Sequence, residues 1–179
     1  MGYLPLTYLA KTLPNNFSPE IKSKEILDIY LPASAEHAKL RIRKQGDSYE
    51  ITKKEPVMGT DSSHQSENTI PLTKEEFNEF ATLQGKRVRK IRYYFEEGGI
   101  MYEIDVFQDA LEGLVLVDVE FNSNEEKAKF TPPDWFLVDV TQEKFVAGGV
   151  LCGKAYADIE DDLKKYGYTQ IMIKEKFGL

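Results

Sequence analysis

Charged residues recur in this chain as pairs two positions apart, a spacing that could build a site. Arg41 and Arg43 flank Ile42, Lys90 and Arg92 flank Ile91, Glu103 and Asp105 flank Ile104, and Asp118 and Glu120 flank Val119. Successive side chains on a strand face opposite sides of the sheet, so each charged pair shares one face and the apolar residue between takes the other. Lys54 adds a further cation to the basic set. Arginine forks bind phosphate oxygens bidentately, and carboxylates suit hard cations such as Mg²⁺ or Mn²⁺. Two arrangements fit this parity. The charges could be the solvated outer face of an antiparallel sheet, or the sheet could curl so that they point inward, with helices covering the apolar side. Only the second makes a site, with a basic wall and an acidic wall suited to phosphates bridged to divalent cations.

The elements that must carry these pairs are mostly strands. Strand-like runs cover 38–44, 49–54, 87–96, 101–107 and 114–121, and Gly98-Gly99 between two of them signals a hairpin. Thr73 followed by Glu76 predicts a capping box at the start of a helix carrying Phe77, Phe80 and Leu83. Short helices are expected from Asn124 to Ala128, stopped by Pro132 and Pro133, and from about Ala155 to Lys165, ended by Gly167. The polar stretch Pro56 to Asn68 reads as a connection.

The chain has 179 residues, with 30 Asp and Glu against 23 Lys and Arg for a net charge of −7, and 41% apolar residues. That is an ordinary globular composition of a length suited to one domain, and it excludes collagen, coiled coil or disorder as the main state. The acidic balance argues against nonspecific nucleic-acid binding. The opening MGYLPLTYLA carries Pro5 and no basic start, so it reads as neither a signal peptide nor a membrane span, and Leu6 stands where a myristoylation motif wants Ser or Thr. Cys152 is the single cysteine. It cannot form an internal disulfide, which points to a reducing cytoplasm. His37 and His64 lie far apart in polar stretches and read as surface residues.

In order and spacing, several segments resemble the CYTH family, the triphosphate tunnel metalloenzymes, which include class IV adenylate cyclases, thiamine triphosphatases and inorganic triphosphatases. They are Tyr30-Leu31, Leu40 to Arg43 with Gly46 and Tyr49, Thr52-Lys53-Lys54, Lys90 to Tyr93, Glu103 to Phe107, Gly113 to Phe121, Pro133-Asp134-Trp135 and Asp139-Val140-Thr141. The resemblance implies an α+β fold over residues 1–179, an eight-stranded antiparallel barrel enclosing a tunnel under a few helices. It further implies that Arg41, Arg43, Lys54, Lys90 and Arg92 grip a triphosphate or polyphosphate. Asp118 and Glu120, where the family usually has Glu-x-Glu, would ligate Mg²⁺ or Mn²⁺, with Glu103, Asp105 and Glu67 as further acidic candidates.

The departures bear on catalysis. The family's first-strand Glu-x-Glu-x-Lys corresponds to Tyr3, Pro5 and Thr7 here, or, shifted to use Lys11 as the lysine, to Thr7 and Leu9 at the glutamates, and its Arg-x-Glu-x-Glu to Gln65-Ser66-Glu67-Asn68-Thr69, one carboxylate of two. Pro5 has no N–H for a ladder, so its strand should be an edge, bulged or short. A two-metal hydrolase needs carboxylates to fix metals and a base for water. The expectation is therefore a phosphate binder with weak or absent hydrolysis, the alternative being an active metal-dependent triphosphatase. Nothing in the chain selects the adenine that a cyclase would read.

Overall fold

A computed structural model describes residues 4–56, 65–173 and 177. The strands are β1 (Leu4–Ala10), β2 (Ser23–Leu31), β3 (Leu40–Gln45), β4 (Ser48–Pro56), β5 (Gln65–Leu72), β6 (Lys86–Glu97), β7 (Ile100–Phe107), β8 (Val115–Phe121) and β9 (Phe136–Asp139). The helices are α1 (Lys74–Ala81), α2 (Asn124–Lys129), α3 (Gly148–Leu151) and α4 (Glu160–Lys164). The hydrogen-bonded order is β5-β4-β3-β2-β6-β7-β8-β1-β9.

This corrects the expected eight-stranded closed barrel: the sheet has nine strands, and no ladder joins β5 to β9 among the described residues. The end strands are poor partners for further pairing, because β5 contains Pro71 and β9 is only four residues long. Gln65 to Asn68 belong to β5 rather than to a connection. Pro5 lies on the part of β1 that β9 leaves uncovered, since β9 pairs only with Tyr8 to Ala10, across a register shift between Leu9 and Ala10. Pro5 itself pairs in regular register with Glu120 of β8, so the irregularity expected of the first strand lies away from Pro5, and β1 is not the edge of the sheet.

The chain gathers into two compact units. The first comprises residues 1–23, 91–141 and 155–179. Its core is the apolar face of β1, β7 and β8: Leu6, Tyr8, Tyr102, Ile104, Val117 and Val119, all buried. Tyr102, Trp135 and Phe136 pack over it, with ring centroids 5.3 Å apart for Tyr102–Trp135 and 4.4 Å for Trp135–Phe136. Trp135 donates its indole N–H to Glu97 at 3.2 Å, so its one polar atom is satisfied. Gly98 and Gly99 make the hairpin between β6 and β7 with φ of +61° and +78°, a conformation that bulkier residues resist.

The second unit comprises 24–90 and 142–154. Ile29, Ile42 and Ile51 are register partners across β2, β3 and β4. Phe77 of α1 packs into the same cluster, 5.2 Å from the Tyr49 ring. The capping box forms as expected: Glu76 N–H donates to Thr73 Oγ1 at 3.2 Å, and Thr73 N–H donates to Glu76 Oε2 at 2.7 Å.

Gly149 of α3 sits against the chain at His37 and Ala38. A Cβ there would lie 2.6 Å from the Ala38 carbonyl oxygen and 2.7 Å from the His37 ring. Alanine in a helix ordinarily gains about 0.5–1 kcal/mol over glycine. Overpacking against a backbone oxygen costs about 1–3 kcal/mol, so the clash should win. Gly149→Ala is expected to lower the thermal midpoint by several degrees, and an unchanged or raised midpoint would show that the two segments separate freely.

Candidate functional site

In each unit taken by itself, parity places polar side chains on one strand face, and part of that face is buried. On β3, Arg41 is 8% exposed and its neighbour Ile42 is fully buried; on β7, Asp105 is 1% exposed beside fully buried Ile104. Both faces of these strands are therefore covered. The solvated-outer-face arrangement is excluded for Arg41 and Asp105.

In the second unit the face is built from rows of register partners. Tyr30 stands opposite Arg41, Arg41 opposite Thr52 and Thr52 opposite Thr69; Asp28 stands opposite Arg43, and Arg43 opposite Glu50. Arg43 donates its Nε to Asp28 Oδ1 at 2.6 Å and one Nη to Oδ2 at 2.7 Å, a bidentate fork on a carboxylate that is 3% exposed. Burial pushes the Asp28 carboxyl up, but the hydrogen bonds and charge of Arg43, then the charges of Arg41 and Lys90, outweigh it and hold the group below the usual aspartate range. Arg41 is held less fully. One Nη donates to Glu50 at 3.1 Å and, at 3.4 Å, to Thr52 Oγ1, while its Nε is buried with no partner among the described residues. A buried, unsatisfied guanidinium N–H is a standing invitation to an anion. Lys90 belongs to the same unit, at the start of β6. The Lys54 side chain lies outside the described residues. Glu67 is exposed on β5, its backbone opposite Lys54.

In the first unit, Arg92 gathers the carboxylates. Its Nε and one Nη donate to the two oxygens of Asp105, each at 2.6 Å; the other Nη donates to Glu103 Oε2, and Asp118 Oδ2 accepts at 3.0 Å. Asp118 Oδ1 accepts from Thr7 Oγ1 at 2.7 Å across the β1–β8 ladder, where the two are register partners. Thr7 is fixed from behind: its N–H donates to Thr141 Oγ1 at 3.0 Å, and that hydroxyl donates to Asp139 Oδ1 at 2.5 Å. Asp139-Val140-Thr141 thus acts as a turn that seats β1. Glu120 is exposed and, with Glu103, lines a cavity of about 610 Å³ floored by Ile100, Phe121 and Phe130. Burial, set against Arg92 but reinforced by Asp118, Asp105 and Glu120, raises the Glu103 carboxyl above its ordinary value.

Among the described residues no three acidic, His or Cys side chains form a ready cage for a metal. The donor chemistry still fits a hard cation, because Mg²⁺ is commonly held by one or two carboxylates with phosphate oxygens and water completing its shell. Asp118, Glu120 and Glu103 supply such oxygens. Asp105 does not, since Arg92 takes both of its oxygens. Asp28 was missed from sequence, being a lone charge in the apolar run Ile26 to Leu31. Its alternation with Tyr30 against Leu27, Ile29 and Leu31 was the available signal.

Comparison with known proteins converges on one family. The CYTH domain model matches residues 9–128. An inorganic triphosphatase of Nitrosomonas europaea is 36% identical over 138 residues, 76% of this chain and 87% of that protein. One from Acetivibrio thermocellus is 31% identical over 74 residues, 41% of this chain and 46% of that protein. A crystal structure of an inorganic triphosphatase superposes with a TM-score of 0.63 at 27% identity, covering 86% of this chain and 96% of that one.

Proposed function

The chain belongs to the CYTH family, and from that premise we propose that it is a divalent-cation-dependent hydrolase of inorganic triphosphate or a related polyphosphate. The observation that carries this reading is the 36% identity over 87% of a relative named inorganic triphosphatase. It favours hydrolysis over the weak-hydrolysis expectation drawn from the missing first-strand carboxylates. Arg41, Arg43 and Lys90 are the phosphate contacts: two guanidinium groups, Arg43 offering what its Asp28 fork leaves, and one ammonium, with the Arg41 Nε already buried and unsatisfied among the described residues. Asp28 holds the Arg43 fork in a fixed plane, which limits the side-chain entropy lost when a phosphate arrives. Asp118 and Glu120, with Glu103, would hold the cation, which when bound supplies charge neutralisation at the phosphoryl oxygens. Thr7 orients Asp118 from the position where the family resemblance places a lysine.

A second reading, binding with little turnover, is favoured by one feature. Arg92 engages two of the three carboxylates that a hydrolase would need for its cation, Glu103 and Asp118. Phosphate release from tripolyphosphate with Mg²⁺ or Mn²⁺, against an EDTA control, separates the two. Cation-dependent release is the expected result. A thermal shift with tripolyphosphate but no release would replace hydrolysis with binding.

A further inference from the structure

Arg92 contacts its three carboxylates unequally. Asp105 is engaged bidentately and is 1% exposed, so it is a fixed anchor. Asp118 and Glu103 each contribute one oxygen, and their side chains are 27% and 23% exposed. We propose that Arg92 is a built-in counter-cation that competes with a divalent cation for Asp118 and Glu103, leaving both when the cation enters while staying on Asp105. This rests on the reading of those carboxylates as cation ligands.

The competition follows from charge and reach. A guanidinium bonded to Asp118 Oδ2 places positive charge against the oxygen a cation would use, and Thr7 already occupies Oδ1. Two cations cannot share one carboxylate oxygen at contact distance without strong repulsion. The fork can release Nη contacts to Asp118 and Glu103 without losing both Asp105 bonds, because Nε and one Nη suffice for the bidentate pair. A phosphate oxygen arriving at Arg92 would supply an alternative acceptor for the released N–H groups. Cation binding and phosphate binding then assist each other with no movement of the backbone.

The test is Mn²⁺ titration by calorimetry without any phosphate compound. The test variant is Arg92→Gln combined with Asp105→Asn, which removes the buried pair as neutral near-isosteres and avoids stranding a buried charge. It should bind Mn²⁺ at least about tenfold more tightly than the parent chain, as expected when a contact cation is removed. Lys129→Gln removes a positive charge lining the same cavity and should change Mn²⁺ affinity by less than about twofold, since that charge is exposed and screened. Equal gains in both variants would reduce the effect to net charge and overturn the proposal. So would unchanged affinity in the folded double variant, or no Mn²⁺ binding in any variant. If the double variant does not fold, Arg92→Lys serves: an ammonium cannot bridge three carboxylates, so Mn²⁺ should bind more tightly, and unchanged affinity overturns the proposal. Hydrolysis is not read in this experiment. A chain that shows the competition but releases no phosphate from tripolyphosphate would refute the hydrolase reading alone.

Discussion

Asp28→Ala is expected to destabilise the protein by about 3–5 kcal/mol, the usual cost of removing one partner from a buried ion pair. The Arg43 and Asp28 side chains are 14% and 4% exposed, so the guanidinium left behind would stay largely dry while losing its bidentate carboxylate. Arg43→Ala should cost a similar amount by stranding Asp28. Replacing both, as Asp28→Leu with Arg43→Met, should be nearly neutral, because the desolvation penalty disappears with the pair. Urea unfolding of the four proteins measures this. Near-wild-type stability for Asp28→Ala would mean that water reaches Arg43 and that the pair is not dry.

The pH dependence has a definite sign. Asp28 titrates below the aspartate reference of 3.8 in the folded chain, so the unfolded chain binds more protons around that value. Its contribution is complete above the unfolded value and is lost as the pH falls through the folded one. Glu103 has the opposite slope. Its folded pKa lies above the reference of 4.5, so its contribution is present below that value and lost as the pH rises through the folded one. Asp28→Asn should therefore flatten the stability profile below about pH 4, and Glu103→Gln should flatten it just above about pH 4.5, each placed by these reference values.

Alternation alone exposed the paired cations and carboxylates, since Arg41-Ile42-Arg43 and Glu103-Ile104-Asp105 leave no ambiguity about which side chains share a face. It could not say who partners whom. The Arg43–Asp28 fork depends on the β2–β3 register, and β2 reads poorly as a strand because Lys24, Glu25 and Asp28 interrupt its apolar residues. β9 escaped because it has four residues and follows Pro132 and Pro133. The helix expected from 155 to 165 is instead a 3₁₀ turn at Tyr156–Asp158, started by the Asp158 carboxylate accepting the Ala155 N–H at 2.8 Å, and α4, with Ile159 between them outside helical geometry at φ −121° and ψ −3°. Pairing also changes the meaning of the basic set. Arg92, grouped with the phosphate cations on sequence, is engaged by three protein carboxylates.

Arg41→Ala should therefore weaken tripolyphosphate binding about ten- to a hundredfold, the value of one charge-assisted hydrogen-bonded contact at roughly 1.5–3 kcal/mol, while leaving stability close to that of the parent chain. Its carboxylate partner, Glu50, has a side chain 34% exposed, so water can take the guanidinium's place there. The Nε it removes is already an unsatisfied buried donor, whose loss relieves a penalty. Arg92→Ala differs in kind, since it would take the guanidinium fork from an almost fully buried Asp105, and its first effect should be on folding. Arg41→Lys should recover only part of the affinity, because an ammonium cannot reproduce the planar fork. Calorimetry with tripolyphosphate beside thermal melts distinguishes these cases. Unchanged affinity in a folded Arg41→Ala protein would place the phosphate contact elsewhere.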